Sequence, residues 1–298
     1  MSHNPSRIRI GISGWRYPGW RGSFYPPELR QADELSYASR HFDTIEINGT
    51  HYSLQRPEFF RRWADETPKG FVFAVKGSRF VTHMKQLRDI EAPLANFFAQ
   101  GVLRLGDKLG PLLWQFSPRF RFDRDKFERF LALLPRDCDA AAVLASGHDH
   151  RLAGRAWVTF ETHQPLRHAV EIRHPSFIDR AFVALLRRYN TALVFADTVG
   201  WPYAEDVTTD FLYLRLHGSD ELYASGYSDD ELDRWAARVS LWSAGDEPND
   251  AKLIDPDARP PRQPRDVYVY FDNDAKVRAP FDAQTLRNKL RRSDMPGS

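Results

Sequence analysis

The chain is poor in the features that most quickly assign a protein to a class. It has one cysteine in 298 residues, which excludes an intrachain disulfide framework and a cysteine-built metal cluster. That residue, Cys138, lies in the polar stretch PRDCDA with no acid–base partner beside it in sequence, so a catalytic thiol is not expected. No apolar run approaches the roughly 18 residues of a membrane span, and MSHNPSRIRI lacks the apolar core and cleavage site of a secretory leader. A cytoplasmic location without a membrane partner is therefore expected, and no segment advertises a protein partner. An excess of one charge is also missing: 42 Lys and Arg face 40 Asp and Glu, a net charge of +2. Contact with nucleic acid would have to come from a local patch rather than from the field of the whole chain. Finally, no candidate strand is followed by a GxGxxG or GxxxxGK[ST] turn, which weighs against an open nucleotide-binding sheet.

What is present is a large core, with 42% hydrophobic and 13% aromatic residues, in a length that fits one α/β domain, taken here as residues 1–298. Eight short β-branched or aromatic runs are bounded by turn residues: RIRIGIS, TIEINGT, FVFAVKG, PLLWQFS, HAVEIRH, TALVFAD, FLYLRLHG and DVYVYFDN. Between most of them lie amphipathic helical stretches over 28–42, 58–67, 94–109, 123–134, 176–189 and 228–242. Eight such alternations predict a (β/α)8 TIM barrel over about residues 7–292. Residues 139–166 read as an extra helical excursion before strand 5, and the Pro- and Asp-rich stretch 245–266 as a long loop before strand 8. The HDH triplet at 148–150 reads as surface rather than as a metal site.

Alternation assigns each strand residue to the helix side or the barrel interior. Apolar sets such as Ile8, Ile10, Ile12 and Leu212, Leu214, Leu216 are predicted to face the helices, and Ala192, Val194 and Ala196 are placed with them. The opposite faces end in polar groups: Ser13, Glu46, Asn48, Lys76, Gln115, Glu171, Arg173, Asp197, Arg215, His217, Tyr270 and Asp272. Such a ring at the C-terminal mouth is where barrel enzymes gather their chemistry. It can equally be a set of structural ion pairs.

These residues lie in blocks that resemble the YecE-like family, a domain of unknown function with a TIM-barrel fold. The resemblance runs from about Ile8 to Leu286 and is carried by GISGWRYPGWRGSFYP, EINGTHY, WADETPKGFVFAVKGSRFVTH, LGPLLWQFSPRF, HAVEIRHPSF, YLRLHG and YVYFDNDAKVRAP. It implies the barrel and supplies no reaction. His51 stands where the resemblance leads us to expect an aromatic such as Phe, and it is read as a surface or packing residue.

Several chemistries fit the ring. Lys76, Arg173 and Arg215, with His83 and His217, can converge on phosphate, because two guanidinium forks fix an oxyanion in orientation. Glu171 then serves as general base and His217, an imidazole, as proton donor, with Asp197 and Asp272 as further acid–base groups. On this reading Glu46, Asn48, Gln115, Trp15 and Tyr227 complete the substrate site, and Tyr223 with Tyr227 closes the mouth. The expected substrate is a small anion or nucleic acid, and the reaction phosphoester hydrolysis. The alternatives are a non-catalytic module that captures an anionic metabolite, a sugar-isomerase-like enzyme or a glycosidase-like one. A divalent metal on Glu46, Glu171, His174, Asp197, His217 and Asp272 is not favoured, because three fixed cations in the same ring would repel it. The cofactor is left open.

Overall fold

A computed structural model describes residues 7–218 and 225–293; Tyr223 lies outside the described residues. Eight parallel strands, β1 (Ile8–Ser13), β2 (Thr44–Ile47), β3 (Val72–Lys76), β4 (Leu109–Gln115), β5 (His168–Glu171), β6 (Thr191–Asp197), β7 (Phe211–Leu216) and β8 (Asp266–Phe271), pair in chain order. β8 closes on β1, with Ile8 opposite Val267 and Ile12 opposite Phe271. Helices α1 (Glu34–His41), α2 (Gly49–Tyr52), α3 (Pro57–Asp65), α4 (Glu91–Ala99), α5 (Arg124–Leu133), α6 (Cys138–Ser146), α7 (Arg180–Arg188), α8 (Asp229–Ala244) and α9 (Ala279–Ser293) cover the barrel. The expected TIM barrel is thus present, with α6 as the helical excursion before β5. No described helix is long and apolar enough to cross a membrane.

Local chemistry explains where the elements stop. Residues 94–109, expected as one helix, are instead α4 followed by a 3-10 stretch from Val102 to Lys108. The break is at Gly101, whose φ of +114° ends the α-helix, and where a Cβ would lie 2.6 Å from Pro57 Cα. α8 begins with a capping box, in which the Ser228 hydroxyl accepts from Glu231 N–H and the Glu231 carboxylate accepts from Ser228 N–H. Gly11 is required by the barrel itself, since a Cβ there would sit 1.8 Å from the Thr44 carbonyl oxygen.

The barrel interior is filled by Val72, Ala74, Leu113, Ala169, Ala192, Val194, Ala196, Phe211, Tyr213, Tyr268 and Tyr270. Leu193 and Phe195 belong instead to the layer between strands and helices. The expected parity therefore holds for seven strands and is inverted in β6. Ala192, Val194 and Ala196 face inward because small side chains fit the crowded interior, whereas the larger Leu193 and Phe195 bury more area against the helices. Asp197 shares the parity of Leu193 and Phe195, so it stands outside the inner ring.

No helix joins β6 to β7, and residues 245–265 before β8 carry neither helix nor strand. These two segments hold one another. Glu205 N–H donates to the Lys252 carbonyl at 2.8 Å and the Glu205 carboxylate accepts from Lys252 N–H at 2.9 Å. Asp206, also buried, accepts from Ile254 and Asp255 N–H at 2.7 and 2.9 Å. Ala204 and Val207 are buried with them.

Candidate functional site

Arg215, at the inward position near the end of β7, is completely buried and organises the mouth. Its Nε donates to Glu46 Oε2 at 3.1 Å. One terminal nitrogen donates to Glu171 Oε2 at 2.7 Å and lies 3.4 Å from His217 Nε2. The other reaches Glu46 Oε1 at 3.0 Å, Asp272 Oδ2 at 2.8 Å and Ser13 Oγ at 3.1 Å. Burial works against its charge, but Asp272, Glu46 and Glu171 overcome this and raise its pKa well above the usual value. A guanidinium has five N–H groups, and here all of them point at protein. Glu46, Glu171 and Asp272 already occupy its fork, which counts against the expectation that Arg215 grips a substrate anion.

Those carboxylates are equally engaged. Glu171 Oε1 accepts from Gln115 Nε2 at 2.9 Å and from Arg173 Nε at 2.8 Å. Burial opposes its charge, yet Arg173 and then Arg215 hold its pKa well below the carboxylate range. A carboxylate so stabilised is a poor proton acceptor, which counts against Glu171 as general base. Glu46 also accepts from Ser13 Oγ at 2.6 Å and Tyr213 OH at 2.6 Å. Asp272 is held low by Arg215 and then His217 against its burial, and its Oδ2 lies 3.1 Å from His217 Nδ1. His217 is fully buried, with Trp201 standing edge-on at 5.6 Å.

Lys76 is different. It is buried at the inward end of β3, yet its ammonium makes no hydrogen bond or ion pair with any described residue. Burial and then the charge of Arg215 lower its pKa. Arg173, only 12% exposed, lies with its guanidinium 3.6 Å from the Trp201 ring centre. His83 is half-buried, its Nδ1 2.8 Å from Thr82 Oγ1. Burial, then Arg173 and Lys76, lower its pKa to about 4.

The remaining expected residues lie at the margins. Asn48 Nδ2 donates to Ser13 Oγ at 3.0 Å, while its buried Oδ1 has no partner. Trp15 and Asn48 line a cavity of about 380 Å3 with Tyr17, Tyr52 and Trp63. Asp197 accepts from Tyr227 OH at 2.9 Å, and burial raises its pKa; both residues line a separate groove against α8 rather than the ring. His174 caps its own turn, its Nδ1 accepting from Ser176 N–H at 3.0 Å. Among the described residues, no group of three His, Cys, Asp or Glu side chains is arranged to hold a metal.

Three further residues stand near the ring, of which Trp201 and Asp274 carried no signal in the sequence. Trp201 sits in the helix-free β6–β7 connection, where no periodicity marks it. His51 is a buried residue, as one of its two expected readings had it, with Nδ1 2.8 Å from the Gly77 carbonyl oxygen. It stands edge-on to His83 at 5.3 Å, and burial and Lys76 lower its pKa to about 3. Asp274, two residues beyond the ring's Asp272, has its pKa raised to about 6 by burial and by Asp272.

A family model described as "Protein of unknown function DUF72" matches residues 9–297. The chain is 31% identical over 118 residues to the UPF0759 protein YunF of Bacillus subtilis, covering 38% of this chain and 41% of that protein. It is 32% identical over 123 residues to the UPF0759 protein YecE of Escherichia coli, covering 37% and 43%. These matches span less than half the length of either relative. Among solved structures, a DUF72 family protein of Thermotoga maritima aligns with a TM-score of 0.70 at 25% identity, covering 96% of this chain and 99% of that one. A DUF72 family protein of Enterococcus faecalis aligns at 0.63 with 16% identity, covering 97% and 99%.

Proposed function

The chain belongs to the DUF72 family, and from that premise and the chemistry of the mouth we propose an enzyme that hydrolyses a phosphoester in a small anionic substrate. The observation that carries this reading is Lys76, a buried amine with three donors and no acceptor among the described residues. The residue is 7% exposed and its ammonium keeps contact with solvent at the mouth, where a substrate oxyanion would pair with it. Arg173, oriented by Glu171 and by the face of Trp201, is a second cation, and both it and Lys76 act on His83 and on Glu171. Arg215 orders the carboxylates and does not touch substrate.

In this scheme Lys76 and Arg173 receive the phosphoryl oxygens. His83, neutral at ordinary pH because its pKa is about 4, accepts a hydrogen bond from the attacking water and orients it, and the water's proton passes to a phosphoryl oxygen. The water oxygen bonds to phosphorus, the ester P–O bond breaks, and the leaving oxygen takes a proton from Asp274, whose pKa of about 6 leaves part of its population protonated near neutrality. This reassigns the roles expected for Glu171 and His217.

The second reading is a non-catalytic module that captures the anion. What favours it is that Glu46, Glu171 and Asp272 are all engaged by fixed donors. Turnover separates the two. The purified protein, with and without Mg, Mn or Zn, is assayed for phosphate release from nucleotide, sugar-phosphate and aryl phosphoesters. Release that is lost in Lys76→Gln and His83→Gln supports the enzyme. Saturable binding without product supports the module, and neither binding nor release overturns the phosphate reading.

A further inference from the structure

At the opposite, N-terminal end of the barrel the protein has a second cleft, of about 570 Å3, between the start of β1, the end of α1, the turn before β3, and α9. Its charged lining is Arg7, Arg9, Arg40, Lys69, Arg287 and one carboxylate, Asp43. Asp43 is taken up by Arg287, which donates from Nε at 3.1 Å and from a terminal nitrogen at 2.7 Å. The nearby Asp266 is taken up by the Arg7 backbone N–H at 2.9 Å and the Arg167 guanidinium at 2.6 Å. The side chains of Arg7, Arg9, Arg40 and Lys69 make no ion pair with any described residue.

Four unpaired cations around one cleft are out of proportion to a chain whose total net charge is +2. Like charges held together without counter-ions repel, and a cleft lined by one sign of charge concentrates the opposite ion. A second observation points the same way. Arg9 occupies an inward position of β1, its guanidinium 5.9 Å from the Tyr268 ring centre, and its Nε is buried without a hydrogen-bond partner. Arg9 is thus anchored by its stem and one ring contact while its fork is not used by the fold. Planar forks of this kind match phosphate oxygens, and the volume is in the range of small-ligand sites.

We propose that this cleft binds a small, multiply phosphorylated anion, with Arg9 at its base and Arg7, Arg40 and Lys69 around its rim. The site is separate from the mouth and does not rest on the function proposed for it. Several charges from distinct segments suit a ligand with more than one phosphoryl group over a single phosphate.

The test is calorimetric titration of the full chain with inorganic tripolyphosphate, beside orthophosphate and a short DNA duplex. Tripolyphosphate is expected to bind saturably, more tightly than orthophosphate, and more weakly as salt rises. Arg9→Gln and the exposed double variant Arg40→Glu with Lys69→Glu should each weaken binding about tenfold or more, as expected for losing charge-assisted bonds, while Lys76→Gln leaves it unchanged. The exposed double variant keeps the test open should Arg9→Gln fail to fold. Absence of tripolyphosphate binding overturns the proposal, as does binding that both cleft variants leave intact. Duplex binding that tripolyphosphate does not displace also overturns it, in favour of a nucleic-acid surface.

Discussion

Replacing Arg215 with Met keeps the approximate volume and removes the charge to which three carboxylates are tied. Glu46 and Glu171 are fully buried and cannot recover water, while the Asp272 side chain is 13% exposed. Breaking a buried pair by removing one partner costs about 3–5 kcal/mol, against a total stability of about 5–15 kcal/mol. The melting temperature should fall by about 6–12 °C at neutral pH. The pH dependence carries the sharper signature. In the native protein Glu171 and Asp272 have depressed pKa values, so their contribution is present above the unfolded carboxylate pKa and is lost as pH falls through it towards the folded values. Without Arg215, Asp272 loses the main charge that holds its pKa down, whereas Glu171 keeps Arg173, the larger of its two lowering partners. The ionised carboxylates are therefore stabilised less in the variant, which should lose less stability on acidification than the native protein does. The gap in melting temperature between the two proteins should therefore narrow as pH falls from about 7 to about 4.5. Scanning calorimetry across that range is the assay. A variant that melts with the native protein at neutral pH, or a gap that does not change with pH, would refute the view of Arg215 as the hub of the site.

Lys76→Gln should leave the melting temperature unchanged or raise it, because an amine without a partner is removed, while binding of orthophosphate at the mouth is lost; a marked fall in stability would show that the amine serves the fold. Since the pKa of Lys76 is lowered, that binding should weaken as pH rises and the ammonium deprotonates, which titrations at several pH values would read. Gly101→Ala places a Cβ against Pro57 at a φ of +114° and should destabilise by about 1–3 kcal/mol, measured by urea unfolding. His51→Phe removes the donor to the Gly77 carbonyl and should cost about 1–3 kcal/mol, while reducing the loss of stability that occurs as pH falls below the unfolded histidine pKa; an unchanged acid profile would count against the low pKa of His51.

The strands were legible because their lengths and turn boundaries are strong signals, and parity placed Glu46, Lys76, Glu171, Arg215 and Asp272 correctly. Parity failed in β6, where both faces are apolar and only side-chain size separates Ala192 and Val194 from Leu193 and Phe195. Polarity patterns cannot read size, so Asp197 went to the wrong side. The pattern also tells which way a side chain points but not what it meets. Arg173 and Arg215 looked equivalent in sequence, yet one lies against Trp201 and the other is enclosed by carboxylates. That difference arises from Glu46 and Asp272, which are far from Arg215 along the chain.

The mutual clasp of the β6–β7 connection and the loop before β8 bears on how this barrel can be rebuilt or inherited. Barrels of eight strand–helix units invite exchange of single units, because each ordinarily brings its own cover. Here that modularity is broken at one sector: buried Asp206 takes N–H groups from Ile254 and Asp255, and Glu205, held also by Arg238 and Tyr203, takes one from Lys252. A chimera that imported either segment alone would leave Asp206 in the interior without these donors. The two segments are therefore one heritable part, though more than forty positions separate them in the chain.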